Sequence, residues 1–310
     1  MSLSNLLKKI ADSEPGPETC ALFDFDGTII SGYSATAFLK DQIARGELSP
    51  ADLIQLTQAA TRFGIGSLGF SALMAVHAQY LAGRSESEYI ANSERLFRRA
   101  IAKLVYPEAR QLIDAHRAKG HSIAIISSAT PYQVIPAAKD LGIDNVYATD
   151  LEVVDGHFTG SVVTPTCFGQ GKVLAAEAFA EDHGGSVDRS FFYSDSTDDI
   201  ALLETVGYPV VLNGSKQLRV IAAEKRWPSA DFSSRGNASG GEIMRSLAAT
   251  GSLVSSFVMA LPLYMLSGSR RDAVNFSISL FADTASALIG MKLDVRGTEN
   301  LWKSRTALYK

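Results

Sequence analysis

Two aspartates stand two residues apart in Asp24-Phe25-Asp26-Gly27-Thr28, directly after the apolar run Cys20-Ala21-Leu22-Phe23. An apolar run that ends in acids is the pattern of a buried parallel strand. Such a strand delivers both carboxylates to the carboxyl edge of a sheet, where open α/β folds bind ligands. There the two acids can divide the work. One attacks phosphorus as a nucleophile, and the other moves protons. Two like charges at this distance call for a counter-cation, and Mg²⁺ with oxygen ligands suits both the acids and a phosphate. The pair alone fits an acid-rich turn capping a helix equally well. The whole apolar-DFDGT string favours the chemistry.

The elements around it follow from periodicity. Residues 34–105 read as helices, with Ser49-Pro50-Ala51-Asp52 as a capped start and apolar positions such as Leu53, Leu56, Leu73, Val76, Tyr80, Leu96 and Ile101. Beyond Pro107 comes helix, strand HSIAII, helix, then NVYATDLEVVDGHFTGSV as a strand and a hairpin turning at Asp155-Gly156. A helix at 171–182, strand SFFYS, a helix at 198–206 and strand YPVVL complete the alternation. This predicts an α/β fold, a Rossmann-like parallel sheet with helices on both faces. The core would comprise 18–33 and 106–228. The block 34–105 is too long for a crossover and reads as an inserted helical cap. Residues before Cys20 read as a short polar arm, and 229–241 as a flexible linker.

ALFDFDGTII resembles the first signature of the haloacid dehalogenase (HAD) superfamily of phosphohydrolases. Ser127 in IISSAT, Lys172 in GQGKVLAAEAF, and Asp195 and Asp199 in YSDSTDD are similar to the second, third and fourth signatures, in that order. The resemblance covers about residues 18–228, and the position of the cap is similar to that of the phosphoserine-phosphatase-like subgroup. It implies a Mg²⁺-dependent phosphatase. Asp24 would form an aspartyl-phosphate, and Asp26 would protonate the leaving alcohol and later activate water. Asp24, Asp195 and the Asp26 carbonyl would hold the metal. Ser127 and Lys172 would hold phosphate oxygens, with Thr28, Ser128, Asp198 and Asp199 in support. Phosphoserine phosphatases usually carry Asn where this chain has Asp198. That departure bears on serine-phosphate specificity more than on the chemistry.

Net charge is −4, which points away from nucleic acid. No long apolar core occupies the first twenty residues, so a cytoplasmic protein is expected, with Cys20 and Cys167 as reduced, structural thiols. His77, His116, His121 and His157 are scattered. His183 and Asp188 have the His-x4-Asp spacing of glycerolipid acyltransferases, but they fall inside the phosphatase body and read as coincidence. Residues 241–310 carry eight Lys+Arg and five Asp+Glu, whereas the preceding body is acidic. Ser246 to Ser269 has no charged side chain, and Arg270-Arg271 follow. Residues 242–310 therefore read as a pair of apolar helices, with 246–290 docking peripherally on the inner face of a membrane. A buried helical pair packed on the body is the alternative. MKLDVRGTENLWKSRTALYK resembles the lead-in of 1-acylglycerol-3-phosphate acyltransferases, which implies the start of a fused acyltransferase domain whose catalytic part is missing here.

The function expected is phosphomonoester hydrolysis, with a phospholipid-pathway substrate suggested by the tail. A soluble phosphatase of phosphoserine type and a non-catalytic membrane-tethered module are the rivals.

Overall fold

The computed structural model describes residues 1–47, 67–234 and 268–289, with isolated positions between 252 and 265. The chain divides into two compact units, Met1–Arg235 and Gly236–Lys310.

The first unit is built on a six-stranded parallel sheet of order β3-β2-β1-β6-β7-β8. Its strands are β1 (Cys20–Phe23), β2 (Ser122–Ile126), β3 (Asn145–Tyr147), β6 (Phe191–Ser194), β7 (Tyr208–Leu212) and β8 (Ser229–Ala230). Every residue of β1 and of β6 is buried, as strands covered on both faces must be. Side chains alternate across the sheet. Ala21 and Phe23 point into one apolar core with Ile125, Tyr193 and Val210, while Cys20 and Leu22 point into a second with Ala124, Phe192 and Val211. Helices α1 (Leu3–Ala11), α5 (Pro107–Ala118) and α6 (Pro131–Leu141) cover the first face, and α7 (Gln170–Asp182), α8 (Ile200–Thr205) and α9 (Lys216–Lys225) the second.

Helix α1 corrects the reading of 1–19 as a polar arm. Ser2 caps it, and Leu6 and Ile10 are buried in the first core. The linker reading of 229–241 also changes. Ser229 and Ala230 pair with Val211 and Leu212, and Phe232 packs edge-on against Tyr106.

The insertion between β1 and β2 contains α2 (Ser34–Ala44), α3 (Ser67–Leu81) and α4 (Glu86–Leu96), and α4 runs into a π-helical turn at Phe97–Ile101. Ser85 caps α4, with Glu86 and Glu88 in the first turn. The capped start predicted at Ser49–Asp52 lies outside the described residues, as do Leu53 and Leu56. A hairpin, β4 (Leu151–Val154) and β5 (His157–Val162), packs on α3. Asp155 (φ 50°) and Gly156 (φ 74°) make its turn, as the sequence predicts. Gly160 lets the hairpin close on the end of α3: an added Cβ would sit 3.1 Å from the Ala82 Cβ. Tyr89, Tyr132 and Phe158 meet edge to face at 5.2–5.5 Å, tying α4, α6 and the hairpin together.

In the second unit α10 spans Arg270–Ile289. No helix among the described residues is long and apolar enough to cross a membrane.

Candidate active site

Strand β1 ends by handing Asp24 to the carboxyl edge of the sheet, where its N–H donates to the Tyr193 carbonyl at 2.9 Å. The neighbours of β1 are β2 and β6, whose connections run to opposite sides, so Asp24 stands at the topological switch point. Asp24 is 5% exposed. Lys172, in the first turn of α7, donates to Asp24 Oδ1 at 2.8 Å and pairs with Asp199 at 2.7 Å. Ser194 donates to Asp199 Oδ2 at 2.6 Å. Among the described residues nothing donates to Asp24 Oδ2. Burial pushes Asp24 up to about 7 even though Lys172 pulls it down and Asp199 pushes it up further. Burial opposes the Lys172 charge, but Asp199 and Asp24 hold the ammonium well above its ordinary range.

Asp26 is gripped at both oxygens. Ser34 gives its N–H to Oδ1 at 2.7 Å and its hydroxyl to Oδ2 at 3.1 Å. Burial still outweighs these bonds and lifts Asp26 to about 6. A carboxyl that titrates near neutrality can both give and take a proton. Behind Ser34, Gln133 donates to the serine oxygen at 3.1 Å, while its carbonyl oxygen accepts from the Thr130 N–H and hydroxyl.

Asp195 lies against Gly27. A Cβ there would come within 2.1 Å of Asp195 Oδ2, and φ is +75°. Thr28, fully buried, donates to Asp195 Oδ1 at 3.4 Å. Burial, Asp24 and Asp199 raise Asp195 to about 8. Asn213, with φ 53°, donates to the Gly27 carbonyl at 2.9 Å and accepts from the Phe232 N–H at 2.7 Å, bracing the motif from the far strands.

Ser127 sits at the end of β2, 1% exposed. Its oxygen accepts the Ala129 N–H at 3.2 Å, leaving its proton to donate. Ser128 is half-buried beside it and bonds to no described residue. Asp198 is half-buried, and burial followed by Asp199 raises it.

The structure thus brings Asp24, Asp26, Lys172, Asp195 and Asp199 together, with Ser127 and Thr28 on the same edge. It leaves His183 and Asp188 apart: His183 donates to the Phe179 carbonyl, and Asp188 accepts from Ser186. His157 bonds its own turn, and His77 reaches Tyr89 at 3.5 Å. Cys20 and Cys167 are buried free thiols, with burial lifting them to about 11 and about 12, outside any nucleophilic range.

No set of three or more His, Cys, Asp or Glu side chains converges as a metal shell among the described residues. Mg²⁺ needs none, because it keeps several waters and takes one or two carboxylates. Asp24 and Asp195 are two buried acids, and the Asp24 charge raises Asp195, with Lys172 the cation named as acting on both among the described residues. That donor set fits a hard dication.

The sequence reading missed Ser34, Gln133, Ser194 and Asn213. One signal was present: Thr130-x-x-Gln133 is a capping-box pattern, and both of its bonds are made.

Residues 21–204 match the family model of haloacid dehalogenase-like hydrolases. The chain belongs to this family. A phosphoserine phosphatase of Mycobacterium tuberculosis is 33% identical over 217 residues, 68% of this chain and 70% of that protein. A histidinol-phosphatase of Neisseria meningitidis is 29% identical over 217 residues, 68% of this chain and 98% of that protein. A solved structure from Bordetella pertussis, of unknown function, superposes with TM-score 0.63 at 27% identity, covering 69% of this chain and 99% of the other. The chain is therefore a haloacid dehalogenase-like hydrolase with phosphatases among its named relatives. The family match ends at residue 204 and says nothing of residues 245–310.

Proposed function

We propose that this hydrolase cleaves phosphomonoesters through an aspartyl-phosphate on Asp24, with Mg²⁺ as cofactor. The observation that carries the reading is the state of the acid pair. Asp24 keeps one oxygen on Lys172 and the other without a donor among the described residues, while burial lifts Asp26, two residues away, to about 6. Asp24 Oδ2 attacks phosphorus as the ester P–O bond breaks, and Asp26 gives its proton to the departing alcohol oxygen. Water then attacks the phosphoryl group, and Asp26 takes the proton back as Asp24 is released. Lys172 and the Ser127 hydroxyl hold the phosphoryl oxygens. Asp24, Asp195 and the Asp26 carbonyl would hold Mg²⁺, which would supply positive charge against that of the transferring group. The relatives named for phosphoserine and histidinol phosphate support a small phosphomonoester substrate. The paired Lys172 and the clamped Asp26 argue against a non-catalytic module.

The test is Asp24→Asn. It should lower kcat by roughly 10⁴–10⁶-fold with the fold kept. Wild-type turnover in the folded variant overturns the mechanism.

A second proposal concerns the tail. Helix α10 opens with Arg270 and Arg271 and exposes Val274, Phe276 and Ile278. Together with the uncharged stretch 246–269, this supports peripheral docking of residues 246–290 on a membrane, which would place a lipid phosphomonoester within reach. The acyltransferase lead-in of 245–310 remains a proposal about that segment alone. Comparing turnover of phosphoserine with that of lysophosphatidate, with and without vesicles, tests the lipid reading.

A further inference from the structure

The proton transfer assigned to Asp26 above, on which this inference rests, needs a carboxyl that is held one way round. The line of donors behind Asp26 has a single possible direction. The Thr130 N–H can only donate, so the Gln133 atom it meets at 2.9 Å must be the carbonyl oxygen Oε1. The Thr130 hydroxyl gives a second bond to the same atom at 3.0 Å. With Oε1 fixed there, Nε2 is the atom that faces the Ser34 oxygen at 3.1 Å. An amide nitrogen only donates, so the Ser34 oxygen accepts from it. The one hydroxyl proton of Ser34 is then left for Asp26 Oδ2 at 3.1 Å, while the Ser34 N–H holds Oδ1 at 2.7 Å.

Thr130 and Ser34 are fully buried and Gln133 is nearly so, so water does not compete for these bonds. The capping box at the start of α6 accounts for the carbonyl oxygen of Gln133. It gives the amide nitrogen no task, and Glu would cap the helix as well. The partner of that nitrogen is Ser34, the first residue of α2 and 99 positions away. Without Nε2 the Ser34 oxygen has lost its donor, and its hydroxyl can turn from Asp26. Gln133 also lies just beyond the loop that carries Ser127. Its amide therefore joins the clamp on the acid to the segment that the proposed mechanism places on the phosphoryl oxygens.

We propose that Gln133 is a positioning residue for the departure of the alcohol: through Ser34 it holds the Asp26 carboxyl in the orientation from which its proton passes to the ester oxygen as the P–O bond breaks.

The experiment uses the full chain with Mg²⁺ and a series of aryl phosphates running from p-nitrophenyl to phenyl phosphate. Along this series the leaving oxygen becomes more basic and depends more on receiving a proton. The readout is how kcat/KM changes with the leaving group. Gln133→Glu keeps an acceptor for Thr130 but gives Ser34 no donor, and Gln133→Met removes the donor without adding charge. Both variants should lose about fivefold more at phenyl phosphate than at p-nitrophenyl phosphate, and Asp26→Asn should steepen the dependence in the same direction and further. In a Ser34→Ala background neither Gln133 variant should steepen it again, because the bond it removes is already gone. A Gln133 that served only the fold would lower every ester by one factor and would add to Ser34→Ala. Either of those results, in variants whose thermal melts show them folded, overturns the inference. A steeper dependence in Asp26→Asn with none in the Gln133 variants overturns the inference alone. An unchanged dependence in Asp26→Asn overturns the acid role of Asp26 itself, and the inference with it.

Discussion

Ser34 donates to both oxygens of Asp26, with its N–H at 2.7 Å and its hydroxyl at 3.1 Å. One contact is main chain and survives mutation, so the two can be separated. Ser34→Ala removes only the hydroxyl bond. That bond favours the ionised acid, and its loss raises the Asp26 pKa further above about 6. The limb of the kcat–pH profile that belongs to Asp26 should therefore move to higher pH. With only the main-chain bond left, the carboxyl is aimed less firmly, and kcat should fall about tenfold. An unmoved limb would remove Ser34 from the control of Asp26.

Asp195 and Gly27 form a lock of a different kind. Gly27→Ala would put a Cβ 2.1 Å from Asp195 Oδ2 and force a side chain onto a backbone at φ +75°. The backbone term alone costs roughly 1–2 kcal/mol, and the displaced carboxylate loses its place beside Asp24. Asp195→Ala deletes the same carboxylate without backbone strain. Both variants should need much more Mg²⁺ for half-maximal activity, at least tenfold, but only Gly27→Ala should lose several degrees of Tm. A Mg²⁺ titration of activity beside thermal melts checks this, and an unchanged half-saturation point would exclude Asp195 as a metal ligand.

How much of this was readable before folding depends on how local each signal is. Strand β1 and its acids were legible because a strand buried on both faces needs an unbroken apolar run. The hairpin turn was legible because Asp155-Gly156 supplies two positive φ angles in succession. Helix α1 was passed over, although Leu3, Leu6, Leu7 and Ile10 have helical spacing, because Lys8 and Lys9 made the stretch look polar. Strand β8 is two residues long and has no pattern of its own; it exists because Val211 and Leu212 offer a ladder. Ser34 and Gln133 are 99 residues apart and meet only when α6 closes over the switch point. No spacing rule reaches that far. The acids were visible as a motif, and the groups that aim them were not.

The carboxylates also set a pH dependence of stability in the absence of metal. Burial raises Asp24 to about 7 and Asp195 to about 8, against 3.8 for the ordinary side chain. Between these values the folded chain holds protons that the unfolded chain has released. Stability therefore falls as pH rises through this window. The buried histidines oppose this lower down. His116 is depressed to about 3 by burial and His121, so folding loses stability as pH drops below 6.5. The unfolded histidines are still half-charged at pH 6.5 and become neutral by pH 8, so His77, His116 and His121 offset part of the acids' effect over this interval. From pH 6.5 to 8 the metal-free protein should lose about 1 kcal/mol net, and saturating Mg²⁺ should cancel most of the acids' share. Melts at both pH values with chelator or Mg²⁺ measure it. Stability that rises over this interval without metal would contradict the placement of the two acids.

The tail should be separable from the chemistry. Met1–Arg235 is a compact unit, and every residue assigned to the site lies within it. A chain ending at Gly241 should therefore fold and hydrolyse a small phosphomonoester with kcat within about twofold of the full chain. The full chain should co-sediment with anionic vesicles. Apolar side chains such as Phe276 and Ile278 on α10 would bury in the interface, and Arg270 and Arg271 would each add roughly 1 kcal/mol at an anionic surface. Salt should then weaken binding without abolishing it, because the apolar part is not screened. Arg270→Glu with Arg271→Glu should shift the vesicle titration by at least tenfold while leaving turnover of a soluble ester unaltered. If the full chain stays in the supernatant with anionic vesicles, the apolar residues of the tail are covered by protein, and a lipid phosphomonoester loses its support as substrate.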